Sequence, residues 1–231
     1  MDIERRAGRI VGTLFIAQMV GAFLVNFQFE APLFGEPGFL VNAAPHALQV
    51  GVSAVVGIAI SSLSIAVAIT LVPILRGRSE AMALWLVALG AAVLAVAVVE
   101  HASVMSMVSL SRAYSAAAPA ARDQFQALRV VVSSARNWVH FLARALDGAM
   151  LFAIYLALFR FRLVPRALAG IGLVATVLQV TGVTMPLFGH DVVFPLLAPL
   201  GLAQLAVSAW LLARGFAPMT PATVRPSSGT A

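Results

Sequence analysis

Cysteine is absent from the 231 residues, so the chain has no disulfide framework, no thiol nucleophile and no thiolate-ligated zinc or iron–sulfur site. Lysine is absent as well: every one of the 15 basic residues is arginine, which with the abundance of Ala, Gly and Pro points to a GC-rich bacterial genome rather than to a selected chemistry. Charge is scarce, at 10% of residues, and aromatics make up 8%. No Gly-x-Ser-x-Gly elbow, HxxxH or HxxEH spacing occurs, which removes the common signatures of hydrolytic serine and helix-borne zinc sites. The net charge of +6 does not point to nucleic acid, because the arginines are scattered at the ends of apolar runs and form no basic stripe interleaved with aromatics.

What the chain has instead is hydrocarbon. Hydrophobic residues make up 61% and the mean hydropathy is +0.97, outside the range of soluble domains. Apolar runs near the 20 residues needed to cross a bilayer recur at about residues 10–29, 47–75, 81–108, 137–159, 167–187 and 192–213. The first is longer than a signal-peptide core and lacks a clean small-x-small site, so it reads as a retained span. The fold class expected is all-α: a polytopic transmembrane helical bundle of six spans over residues 1–214. A Pro-, Thr- and Ser-rich tail, residues 215–231, is expected to be disordered and cytoplasmic.

Orientation follows from arginine bias. With both termini cytoplasmic, ten arginines fall inside: Arg5, Arg6, Arg9, Arg76, Arg78, Arg160, Arg162, Arg166, Arg214 and Arg225. Three lie outside: Arg112, Arg122 and Arg129. The acidic, Arg-free segment from Glu30 to Gly38 reads as an outer loop, and Trp85, Trp138 and Trp210 lie near span boundaries as an aromatic belt. Pro119 opens a helical stretch in which Phe125, Leu128 and Val132 share a face. It reads as a solvated loop helix in preference to an amphipathic surface helix or an extension of the fourth span. Small residues supply packing surfaces at Gly8 and Gly12 in the first span and along Ser53, Gly57, Ser61, Ser64 and Ala68 in the second.

The fourth span carries the costly groups. Arg136, His140, Arg144 and Asp147 fall within about 80° on a helix, giving a polar face in an apolar run. Counting a 1.5 Å rise from Ala81 puts Glu100 and His101 about 28–30 Å up the third span, level with the start of the fourth. The reading that asks least is an ion-pair network fixing the third span to the fourth, with Arg144 paired to Glu100 or Asp147. A second reading makes this face the outer vestibule of a path for a small solute or protons, with Gln18, Asn26, Gln179 and Gln204 as further lining. A third gathers His46, His101, His140 and His190 with a carboxylate around a divalent metal, or sets a haem between the third and fourth spans. The expected partner is the lipid bilayer, with no nucleic acid; no protein partner follows from the sequence, and a homo-oligomer is compatible with it.

Three stretches together carry a family resemblance: Arg6-Ala7-Gly8-Arg9-Ile10-Val11-Gly12-Thr13-Leu14, Glu100 within the third span, and Phe159-Arg160-Phe161-Arg162-Leu163-Val164-Pro165-Arg166-Ala167-Leu168-Ala169-Gly170. In these the chain resembles a bacterial family of six-helix membrane proteins, domain of unknown function 4386. The resemblance implies the six-span architecture, and an arginine three residues before the acid of the third span, where this chain has Ala97. It implies no activity and no catalytic residue. The function expected is therefore non-enzymatic, accessory or related to small-solute transport, with a membrane-embedded enzyme or a metal- or haem-binding protein as the alternative.

Overall fold

The computed structural model describes residues 3–218. Eight α-helices account for nearly all of them: α1 (Ile3–Leu24), α2 (Ala31–Phe34), α3 (Phe39–Asn42), α4 (Ala47–Arg76), α5 (Glu80–Ala116), α6 (Arg122–Arg160), α7 (Arg166–Thr184) and α8 (Ala198–Arg214). Six are long and apolar enough to cross a membrane, α1 being prolonged by a π-helical turn, Val25–Phe29. Residues beyond Pro218, including Arg225 and most of the expected tail, lie outside the described residues.

The long helices close into a ring. Each of α4 to α8 packs on its neighbour in sequence, and α1 packs on both α8 and α4. Short connections such as Gly77–Ser79 make the neighbours antiparallel. The α1–α8 seam is set by small residues: a Cβ on Gly8 would run into the backbone of Gly215 and Phe216, and one on Gly12 would lie 3.0 Å from Leu211 Cβ. The outer surface is apolar, with Leu48, Val55, Val174 and Leu202 strongly exposed, and Trp85, Trp138 and Trp210 also face outward.

Both described ends lie on one face of the ring, where Ala217 N–H donates to the Leu163 carbonyl (2.9 Å) and Arg78 Nη1 to the Phe161 carbonyl (3.0 Å). Arg76, Arg160 and Arg214 sit in the last turns of α4, α6 and α8, where cations complement the helix dipole. Ser79 caps α5 by accepting from Met82 N–H (3.3 Å). The turn after α6 closes with Leu163 N–H on the Leu158 carbonyl and Arg162 N–H on that of Phe159, so Arg162 holds the left-handed position (φ 54°) usually given to glycine. That conformation costs a non-glycine residue about 1–2 kcal/mol.

The opposite face departs from the sequence reading. The expected solvated loop helix after Pro119 is continuous with α6, and α5 runs eight residues past the expected end, to Ala116. Tyr114 meets Phe125 edge-on (5.8 Å between centroids), and Arg122 stacks over Tyr114. This hairpin gives the segment after Glu30 something to pack on: Leu33, Phe39, Leu40 and Ala43 bury against Val104, Met107 and Val108 of α5. Ser111 Oγ ties the two by donating to the Leu40 carbonyl (2.8 Å) while accepting from Ala44 N–H (2.8 Å). The expected outer loop is therefore an ordered cap. The main core, including Val11, Phe15, Leu71, Leu86, Ile154 and Leu211, lies toward the other face.

Candidate functional site

Between the two cores the sequence runs out of hydrocarbon. Along α5, the main core includes Leu86 and Val93 and the cap core begins at Val104; Glu100 and His101 fall between them, each under a tenth exposed. Glu100 is held entirely by α6. His140 Nδ1 donates to its Oε1 (2.6 Å) and Arg144 Nη2 to its Oε2 (3.2 Å). Arg144 reaches Asp147 Oδ2 with its other terminal nitrogen (3.1 Å), the i,i+3 pairing along one face of α6. The counter-charge for Glu100 thus comes from α6, not from position 97, where buried Ala97 stands.

Arg136, one turn before His140, turns elsewhere. Its Nη2 donates to Glu30 Oε2 (3.1 Å), and the guanidinium stacks over the Phe34 ring at 4.8 Å. Ser53 Oγ of α4 donates to the other Glu30 oxygen (3.1 Å). Glu30, only 2% exposed, is thus a buried cluster member and not an outer-loop acid. A signal was available: counting 1.5 Å per residue from Ile10 puts it about 30 Å up the first span, level with Glu100. The π turn Val25–Phe29, a kind of feature common at functional sites, leads directly into it.

The histidines separate. His101 lies in a cradle left by Gly57, where a Cβ would fall on its imidazole, and its Nδ1 is 3.8 Å from Glu30 Oε1. Neighbouring residues on α5, Glu100 and His101 face different partners, as an angle of 100° per residue requires: Glu100 meets His140 and Arg144 of α6, and His101 faces Glu30. His46 is exposed and donates to the Asn42 carbonyl (2.8 Å); His190 is exposed in the α7–α8 connection. The four do not converge. Among the described residues no three His, Asp or Glu side chains are placed to hold a metal ion; His140 bonds to Glu100, while His101 lies near Glu30 with no hydrogen-bond partner on its Nδ1.

Inside the ring, at and below this level, is a cavity of about 240 Å³. All six long helices contribute to its wall: Gln18 and Asn26 from α1, Ser61 and Ser64 from α4, Glu100 and His101 from α5, Arg144 and Asp147 from α6, Gln179 from α7 and Gln204 from α8. Gln18 Nε2 donates to Ser64 Oγ (2.9 Å), and Asn26 Nδ2 to the Ala22 carbonyl of its own helix (2.8 Å). Three buried polar atoms on lining residues have no partner among the described residues: His101 Nδ1, Arg144 Nε and Gln179 Oε1.

Residues 10–215 match the family described as domain of unknown function 4386. The chain belongs to that family. The match spans all six long helices, the Glu100–His140–Arg144 cluster and the turn through Arg162. No curated protein and no solved structure matches the chain. The family carries no assigned activity.

Proposed function

We propose that this chain is a multi-pass protein of a bacterial inner membrane, with both termini cytoplasmic, whose helical ring holds a binding site for a small polar solute. It is non-enzymatic and transport-related. The observation that carries the reading is the cavity on the ring axis, walled by Glu100, Arg144 and Asp147 and by the amides of Gln18, Gln179 and Gln204. Ionised groups at membrane depth are costly and are kept where they face a bundle interior or a substrate path. The unpartnered atoms on the wall offer a ligand both donors and an acceptor. Charge supports the same reading. The cluster has three carboxylates, Glu30, Glu100 and Asp147, against two guanidiniums, Arg136 and Arg144, so a cationic group of the solute brings it to neutrality. The cap core lies over the cluster on the far face, with the Glu30–Arg136 pair beneath it as the element that would part for entry.

A purely structural network is the second reading, favoured by the complete pairing of Glu100 across α5 and α6. Thermal unfolding in detergent against a panel of amino acids, amines and organic acids separates the two. A solute site gives a stabilisation by at least one class that disappears in Asp147→Asn and Gln179→Leu while both variants stay monodisperse. If no class shifts the wild type, and Gln179→Leu only raises its stability, the solute reading is lost. Orientation has its own measurement: a reporter fused after Thr220 is active on the cytoplasmic side, and a periplasmic signal overturns the topology.

A further inference from the structure

The face that carries both described ends holds a second feature, independent of the axial cavity. Three segments far apart in sequence meet there: the start of α1, the turn between α6 and α7, and the end of α8. Between them is an open cavity of about 650 Å³, lined by Arg5, Arg162, Arg166 and Arg214 together with Trp210 and Phe216. No acidic residue lines it, and none of the four arginines forms an ion pair among the described residues. Arginine bias at span ends accounts for positive charge on this face. It does not account for four arginines lining one hollow, where like charges repel. Nor does it account for Arg162, which holds a left-handed conformation at the helix-closing position where glycine would be unstrained. Backbone strain of this kind persists where the surrounding structure over-determines it, and it clusters at functional sites. The hollow is locked in place by Ala217 N–H on the Leu163 carbonyl and by Arg5 Nε on the Arg214 carbonyl (3.4 Å).

From this we infer that the hollow is a binding site for a phosphate-bearing anion, supplied by the headgroup of an anionic phospholipid. Guanidinium forks match phosphoryl oxygens in pairs, and basic pockets at the cytoplasmic ends of transmembrane helices take anionic headgroups. The membrane source, rather than free phosphate, follows from the walls. Trp210 is partly exposed at the end of α8, at the level where indoles sit among headgroups, and Leu163, Val164 and Phe216 form an apolar floor beside it for the first carbons of an acyl chain.

The test is native mass spectrometry of the full chain in neutral detergent with equimolar phosphatidylglycerol and phosphatidylcholine of identical acyl chains. The wild type retains phosphatidylglycerol over phosphatidylcholine by about fivefold or more, the factor that one headgroup–arginine contact supplies. Arg162→Gly and the double variant Arg166→Ala/Arg214→Ala bring the ratio close to one. Arg9→Ala/Arg76→Ala, which removes equal charge from the same face outside the hollow, leaves it unchanged. Arg162→Gly keeps the test independent of folding, because glycine relaxes the turn and its melting temperature stays level or rises. Equal loss of preference in the Arg9/Arg76 control, no preference in the wild type, or an Arg162→Gly protein that still selects phosphatidylglycerol each overturns the site. Stabilisation by inorganic phosphate without any lipid preference overturns the lipid source.

Discussion

Removing either partner of the Glu30–Arg136 pair isolates the group that holds the cap to the ring. Both side chains are under a tenth exposed, so solvent screens the pair little, and the contact joins residues 106 apart in sequence. Glu30→Gln removes the counter-charge and leaves the Arg136 guanidinium, besides a neutral amide oxygen, a weak tie to Asn137 and the face of Phe34. Arg136→Met leaves a buried carboxylate with only the Ser53 hydroxyl and a distant imidazole. Breaking a buried pair from one side costs about 3–5 kcal/mol, because the remaining charge is uncompensated, whereas replacing both members with apolar or neutral groups is often close to neutral. Each single variant should therefore lose about 3 kcal/mol, and Glu30→Gln/Arg136→Met should recover most of it, with a coupling of about 2 kcal/mol or more. For a chain of this length a 3 kcal/mol loss is a drop of about 6–12 °C in melting temperature. The assay is a double-mutant cycle by denaturant titration in mixed micelles, followed by far-ultraviolet circular dichroism. Single losses below about 1 kcal/mol, or a strictly additive double variant, would refute the reasoning and reduce the pair to a surface contact.

Other outcomes follow from single contacts. Gly8→Ala places a Cβ against the backbone of Gly215 and Phe216, which has no side chain to swing away, so the α1–α8 seam opens and thermal stability falls by about 2 kcal/mol or more; an unchanged melting curve would show that the seam gives. Gly57→Ala displaces the His101 imidazole from its cradle, and loss of any solute-dependent stabilisation with retained monodispersity is expected on size-exclusion and melting assays. Tyr155→Phe removes a buried hydroxyl that has no partner among the described residues, and should leave stability unchanged or raise it by up to about 1 kcal/mol in the same titration.

Much of the candidate site could be read locally. The polar face of α6 is a matter of 100° steps, and the level of Glu100 is a matter of 1.5 Å rises, so both are properties of a helix that any apolar run of that length must form. Partner choice could not be read this way. Arg136 and His140 are one turn apart on the same face, yet one turns to Glu30 and the other to Glu100, because the packing of distant segments sets Glu30, at the end of the π turn, beside Arg136 and sets Glu100 of α5 against His140. The cap was misread for a related reason. Its Pro, Gly and acidic residues signal a loop, and they do so whether the loop is solvated or folded down onto the hairpin of α5 and α6.

Hydropathy alone determined that the chain is all-helical with six long apolar spans, since a backbone in hydrocarbon must satisfy its hydrogen bonds within each segment. Tertiary structure decided what lies inside. Closure of α1 onto α8 turns six spans into a ring with an axis, and only that closure puts residues from both ends of the chain, Gln18 and Gln204, on the wall of one cavity with Glu100 and Arg144. It also draws Arg5, Arg162 and Arg214 around a second hollow. Local periodicity sets which face of a helix is polar; only the packing of distant helices sets which polar faces meet.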